Sequence, residues 1–482
     1  MLFNSFTFLA FFILVTGIYF VIPSKLRVLF LLAASCFFYM FFVPIYIVIL
    51  AGTIVVDYFA GILIENSQGA KRKWFLIASL VTNIGVLAVF KYYNFFLDNA
   101  YFLFHGPGYT GHIPYLSILL PIGLSFHTFQ AMSYTIEVYR GNQKAERQFD
   151  IYALYIMFYP QLVAGPIERP QNILWQLKKE FHFDYNMVVS GLRLMLWGAF
   201  KKIVIADRLA PHVNDVYNNL PKYSGPSLIL ATVFFSIQIY CDFSGYSDIA
   251  IGAARVMGID LMKNFDRPYS SKSISEYWTR WHISLTTWFR DYIFYPLSMS
   301  LSKNRGHGAL KLYINLFIVF LISGLWHGAN WTFVIWGALH GFYLVFAIVT
   351  KNIRDEFNTI TGLNKFTKLR DFLAQITTFA LVSFALIFFR AKNFHDAFYV
   401  ITHLFRYNGL VGIGSMHVLD FFIVVSSVII LEIVQYIHAK NNIVASLTKR
   451  PLMLRWTVYA AVAMAIIFFG NFGNEKFIYF QF

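Results

Sequence analysis

The sequence predicts an all-α polytopic membrane protein: a helical bundle of about eleven or twelve spans, with re-entrant or interfacial helices among them. Three observations predict it. Of the 482 residues, 58% are hydrophobic and only 13% are charged. The apolar residues lie in continuous runs, not in the short alternating segments of a transmembrane β-barrel. These runs reach the roughly twenty residues that a helix rising 1.5 Å per residue needs to cross the hydrocarbon.

The spans follow in order. Residues 5–22 form the first, read as retained because no basic region precedes it and Ile22-Pro23-Ser24-Lys25 offers no small-residue cleavage pattern. Runs at 26–42, 44–64, 74–93 and 116–137 come next. The run 151–165 is below spanning length and reads as a re-entrant or buried helix, which a bilayer tolerates only where protein or water covers its backbone. Alternating sidedness demands one more crossing before Ser227. The best candidate is 190–208, although Arg193, Lys201 and Lys202 make it a poor lipid-facing segment. Runs at 228–250, 311–327, 331–350, 371–389, 418–438 and 453–470 complete the set. No linker, composition shift or internal repeat divides the chain, so it reads as one membrane domain, 1–482.

The net charge of +15 reports topology, not a nucleic-acid partner. Lys25 and Arg27 follow the first run, Lys71 to Lys73 precede the fourth, and Arg140, Lys144 and Arg147 follow the fifth. The positive-inside rule puts these loops in the cytoplasm, together with Lys263 to Lys311, Lys351 to Arg370 and Lys440 to Arg455. The N-terminus then faces out, as does the stretch from Leu97 to Tyr115, which has no Lys or Arg. Cys36 and Cys241 lie inside apolar runs and provide neither a disulfide framework nor metal-ligand spacing. A phosphate-cradling G-x-x-x-x-G-K-[ST] loop and a G-x-S-x-G nucleophile elbow are both missing, which removes the usual signatures of ATP-driven transport and serine hydrolysis.

Polar residues at membrane depth need a reason, because desolvation penalises them. Leu325-Trp326-His327-Gly328-Ala329-Asn330-Trp331 sets an imidazole at the junction of two apolar runs. It is either a functional site or a histidine satisfied by a carbonyl at a helix contact. Residues 275–292, read as one helix, place Trp278, Trp281, Leu285, Trp288, Phe289 and Tyr292 on one stripe, with His282 at its edge and Arg280, Arg290 and Asp291 away from it. Periodicity favours an amphipathic interfacial helix, which leaves the imidazole unexplained. In Tyr240-Cys241-Asp242-Phe243-Ser244-Gly245-Tyr246-Ser247-Asp248, near the cytoplasmic end of a run, two carboxylates six apart share no helical face, so neither a dyad nor a metal pair is indicated. Pairing of a carboxylate with Arg255 or a more distant cation is the simpler reading, and Asp242 is the better functional candidate. Ala164-Gly165-Pro166-Ile167-Glu168-Arg169-Pro170 reads as a tight turn against a cavity, and His127 as packing or a cavity wall.

Together, Asp242 to Asp248, Tyr277-Trp278-Thr279-Arg280-Trp281-His282-Ile283-Ser284-Leu285, Trp288-Phe289-Arg290-Asp291-Tyr292, Gly324 to Trp331, Trp336 to Gly341 and the aromatic end Phe477 to Phe482 resemble the membrane-bound O-acyltransferases. The resemblance covers nearly the whole chain and is greatest to the alginate O-acetyltransferase (AlgI-like) branch. It implies transfer of an acetyl group from a cytoplasmic thioester, acetyl-CoA or another, across the bacterial inner membrane toward hydroxyls of an extracytoplasmic polysaccharide. The resemblance implies no bound cofactor or metal, and a separate extracytoplasmic acetyltransferase as partner. His327 matches the histidine regarded as catalytic in the family and His282 the second motif-borne one. His340, Asp242, Trp326, Asn330 and Arg290 are supporting candidates.

Chemistry independently favours a histidine. An alcohol is a poor nucleophile at neutral pH, and attack on a thioester needs a base to accept its proton. His327 is the expected general base and His282 the group that orients or polarises substrate, with His282 on the cytoplasmic side and His327 deeper. Asn330, Trp326 or backbone N–H groups are candidate oxyanion donors. D-alanyl or other acyl transfer to an envelope polymer, a transporter, and a non-catalytic secretion scaffold stay open as alternatives. Inverted repeats would mark a transporter, and a scaffold has no need of His327.

Overall fold

The computed structural model describes residues 1–106, 114–116, 121–302, 308–407, 409, 412, 416–440, 447, 449–472 and 477–480. Their regular elements are helices, with no β-strand among the described residues. Among the described residues, eight helices are long and apolar enough to cross a membrane: Tyr46–Asn66, Gly69–His105, Gly225–Val256, Gly308–His327, Trp331–Val349, Thr367–Arg390, Val418–Ala439 and Leu452–Phe469. Leu452–Phe469 buries none of its residues, as befits a lipid-facing span. The chain is thus an all-α polytopic membrane protein, with fewer full-length candidate spans than its apolar runs suggest.

The difference lies in punctuation. Phe6–Val21 and Ser24–Met40 have 16 and 17 residues, separated at Pro23, whose missing N–H suits a helix start. Leu124–Arg140 also has 17 residues and begins after Gly123 in a left-handed conformation, so the run from 116 is cut short; residues 117–120 lie outside the described set. The run 151–165 resolves into most of Phe149–Met157, then Tyr159–Leu162 and a turn, and residues 151–165 are all buried, in keeping with a covered short helix. The proposed crossing at 190–208 belongs to a helical stretch from Tyr185 to Asn218, with a π-helical turn at Phe200–Ala206. The helix beginning at Gly69 continues to His105 through a π turn at Ala88–Tyr92, so most of the first half of the expected outer loop is helical. The rest of that loop at 107–113, the basic stretch 303–307 and residues 441–446 fall outside the described residues.

The chain divides into two compact units: Met1–Met195 with Tyr246–Met262, and Leu196–Gly245 with Lys263–Phe482. In the first, Tyr46–Asn66, Gly69–His105 and Leu124–Arg140 pack around buried polar groups. Ser79 Oγ donates to Asp57 at 2.6 Å, Asn83 Nδ2 donates to it at 2.8 Å, and His127 Nε2 meets Thr53 Oγ1 at 2.7 Å. His127 is therefore part of the packing, as expected. Glu168, at the end of the proline-flanked turn, is fully buried; Asn172 Nδ2 donates to it at 2.7 Å and the Met262 backbone N–H also bonds to it.

In the second unit, Gly308–His327 and Trp331–Val349 form a tight hairpin. A Cβ on Gly324 would meet the Phe333 carbonyl at 2.3 Å, and one on Gly337 the Phe320 carbonyl at 2.2 Å. Only glycine at both positions lets these backbones touch, and that contact brings His327 and Trp336 together.

Candidate active site

The segment expected to be one amphipathic helix is broken at its histidine. Ile274–Arg280 and Ile283–Phe289 are separate helices, followed by a π turn at Arg290–Phe294. His282 between them has φ 44°, a left-handed conformation that costs a non-glycine residue free energy and needs outside support. Asn264 supplies that support. Its carbonyl accepts the Ile283 N–H at 2.9 Å, while its Oδ1 accepts the Ser284 N–H at 3.3 Å and the Ser284 hydroxyl at 2.9 Å. The same Oδ1 lies 3.1 Å from His282 Nδ1.

This network sets the tautomer. Because the Ser284 N–H can only donate, the Asn264 atom facing it is oxygen, and the hydrogen shared with His282 sits on Nδ1. The lone pair is then on Nε2. His282 is fully buried, and burial pushes its pKa down to about 3, so the ring is neutral at physiological pH. The apolar stripe Trp278, Trp281, Leu285, Trp288 and Phe289 is also buried within protein, not spread on a membrane surface.

His327 ends the helix Gly308–His327 and is buried. Its ring centroid lies 4.9 Å from Trp326 and from Trp336, 5.4 Å from Phe389 and 5.7 Å from Tyr479. Two aromatic bridges join it to His282. Trp326, 6.4 Å from the His282 ring, forms one. Phe243, 4.6 Å from His282 and 4.7 Å from Tyr479, forms the other. The break at His282 turns that ring toward the same aromatic cluster that surrounds His327.

Asp242 does not touch either ring. Its carboxylate pairs with Lys202 Nζ at 2.8 Å and accepts the Ile478 backbone N–H at 2.9 Å, anchoring the segment that carries Tyr479. Lys202 also reaches Asp207 at 2.6 Å. The cluster lies inside the helix Gly225–Val256, not near its end, and its cation is the distant Lys202; Arg255 pairs with Asp260 instead. Gly245 permits this approach, since a Cβ there would meet the Gly198 carbonyl at 2.7 Å.

The other candidates are dispersed. His340 Nδ1 accepts from Trp278 Nε1 at 3.3 Å, and its ring is 4.9 Å from Trp336, one residue removed from His327. Asn330 caps the helix Trp331–Val349, accepting the Thr332 N–H at 3.0 Å and donating to the Lys392 carbonyl at 3.1 Å. Arg290 is exposed and pairs with adjacent Asp291 at 2.9 Å; neither histidine is among its contacts. Sequence reasoning missed Asn264, Lys202, Tyr479 and Trp336. The Trp336 indole N–H is buried against His327 with no hydrogen-bond partner among the described residues, a ready donor for an oxygen that enters the enclosure.

Comparison with known proteins accords with this chemistry. The profile of the membrane-bound O-acyltransferase family, MBOAT, matches residues 148–384, which include both histidines and Asn264. The chain is 36% identical over 411 residues to "Probable alginate O-acetylase AlgI" of Pseudomonas aeruginosa, covering 84% of this chain and 75% of that one. It is 34% identical to the peptidoglycan O-acetyltransferase of Helicobacter pylori, over 79% of this chain and 74% of that one. The teichoic acid D-alanyltransferase of Bacillus subtilis is 26% identical, over 59% and 72%.

Proposed function

Since this chain belongs to the membrane-bound O-acyltransferase family and is a multi-pass O-acyltransferase, we propose that it transfers acetyl from a cytoplasmic thioester, acetyl-CoA or another, toward hydroxyls of an extracytoplasmic polysaccharide. The observation that carries this reading is the enclosure uniting His327 and His282, which offers two imidazoles in a water-poor aromatic setting. The relatives with the greater identity and coverage are named for acetyl transfer, and the D-alanyl relative is more distant. A bacterial inner membrane location and a separate extracytoplasmic acetyltransferase as partner belong to the same reading.

In the mechanism, His327 accepts the proton of the acceptor hydroxyl as its oxygen attacks the thioester carbonyl carbon. The carbonyl electron pair moves onto oxygen, and the Trp336 indole N–H donates to that oxyanion. Collapse breaks the carbon–sulfur bond, and the thiolate takes the proton back from His327. No redox change occurs. His282, neutral with its lone pair on Nε2, accepts a hydrogen bond and orients a hydroxyl or bound water. Asp242 and Lys202 hold the Tyr479 segment closed over the site.

The test is His327→Ala in cells fed labelled acetate. Loss of polymer-bound ester by roughly a hundredfold or more, with normal membrane insertion, is the expected result. Unchanged ester would overturn His327 as base, and a different acyl group on the polymer would overturn acetyl as cargo.

A further inference from the structure

Within the first unit, the start of Ser24–Met40, the end of Phe6–Val21, the segments around Gln148–Leu154 and Gln176–Phe181, and Met257–Ile259 surround a cavity of about 350 Å³. Its floor is apolar and buried: Leu31, Leu154, Leu177 and Met257. Its mouth is basic, with Lys25, Arg27, Lys178 and Lys179 against Asp150 and Glu180. Lys25 and Arg27 belong to a basic stretch that the charge pattern assigns independently to the cytoplasmic face.

Two of the four cations are already engaged. Arg27 donates to the Phe181 and Ile22 carbonyls and lies over the Tyr19 ring at 4.8 Å, and Lys178 pairs with Glu146 at 2.7 Å. The side-chain ammonium groups of Lys25 and Lys179, which line the cavity, have no hydrogen bond or ion pair among the described residues. Val21, Leu26 and Leu29 beside the mouth are 85%, 53% and 58% exposed, an apolar surface suited to acyl chains. Basic pockets at the cytoplasmic ends of membrane helices suit lipid head groups.

We propose that this cavity binds a phosphate ester bearing an apolar part, with Lys25 and Lys179 on the phosphate and the floor on the apolar part. With a phospholipid as ligand the proposal stands independently of the acyl-transfer reading; with a coenzyme A thioester it rests on that reading. Two sources carry that chemistry, an anionic phospholipid of the cytoplasmic leaflet and the phosphates of a coenzyme A thioester.

The experiment uses the full chain in phosphatidylcholine nanodiscs, titrated with phosphatidylglycerol in one arm and coenzyme A in the other, with the Lys25→Ala/Lys179→Ala variant in parallel. Retention of either ligand by the wild type, with about thirtyfold weaker retention by the double variant at an unchanged melting temperature, is expected from roughly one neutralised contact per lysine. Binding of phosphatidylglycerol undisplaced by coenzyme A assigns the lipid; displacement by coenzyme A assigns the donor. Recovery of binding in Lys25→Arg/Lys179→Arg supports a role for charge alone. Equal binding by wild type and double variant, or no binding of either ligand, overturns the proposal.

Discussion

Replacing Asn264 with alanine should slow transfer as well as weaken the fold. In the native site, Asn264 Oδ1 faces three donors: His282 Nδ1 at 3.1 Å, Ser284 Oγ at 2.9 Å and the Ser284 N–H at 3.3 Å. The hydroxyl can rotate toward another acceptor. The imidazole can move its hydrogen to Nε2, which relieves the lost bond but removes the lone pair facing substrate. Only the backbone N–H of Ser284 is left as an obligatory orphan, which costs about 1–3 kcal/mol of stability. A neutral hydrogen bond contributes about 0.5–1.5 kcal/mol net, so losing the Nδ1–H bond shifts the tautomer ratio, and with it the rate, by roughly two- to twelvefold. The assay is initial-rate acetyl transfer in membranes, normalised to monodisperse folded protein. Asn264→Asp is the companion: it keeps the acceptor and adds a charge that raises the His282 proton affinity, so the rate loss should appear on the acid side of its pH profile. An Asn264→Ala protein with wild-type rate and melting temperature would refute the tautomer argument.

Other consequences follow from the same geometry. Trp336→Phe keeps the ring and deletes the N–H, and should lower kcat by roughly a hundredfold to a thousandfold with little change in KM if that N–H meets the oxyanion; an equal fall in binding alone would speak against it. Lys202→Met leaves Asp207 and Asp242 buried without their cation and should destabilise the protein by about 3–5 kcal/mol, read as thermal unfolding in detergent. Burial pushes the Glu168 carboxyl up to about 7, against donors from Asn172 and Met262. Folding therefore favours the protonated form, and this group's contribution is fully present below about 4.5 and declines as pH rises through 7. Glu168→Gln should flatten that slope in melting temperature between acid and neutral pH.

What was legible in the sequence was whatever depends on local composition. Apolar run length identifies a helical membrane protein because lipid leaves a backbone few other options. The motifs around His327 and His282 identified the family, since those residue types recur at short spacing within single segments. Pairing of a carboxylate with a distant cation followed from the cost of burying a lone charge, although which cation did not. Span boundaries were less legible: the helix after Gly123 begins only at Leu124, although the apolar run begins at 116.

Tertiary structure decided the rest, for reasons of distance along the chain. A helical reading of residues 275–292 could not foresee that Asn264 captures Ser284 and turns His282 into a left-handed bend. Nothing near position 242 announced that its carboxylate would hold the Ile478 N–H, 236 residues away. The glycine contact between Gly324 and Gly337 brings Trp336 to His327, although neither glycine is a chemical group. Sequence alone determined the class of molecule and singled out His327 and His282. Which nitrogen holds the lone pair, and which indole N–H waits beside His327, depended on hydrogen bonds and close approaches that form only when distant segments pack.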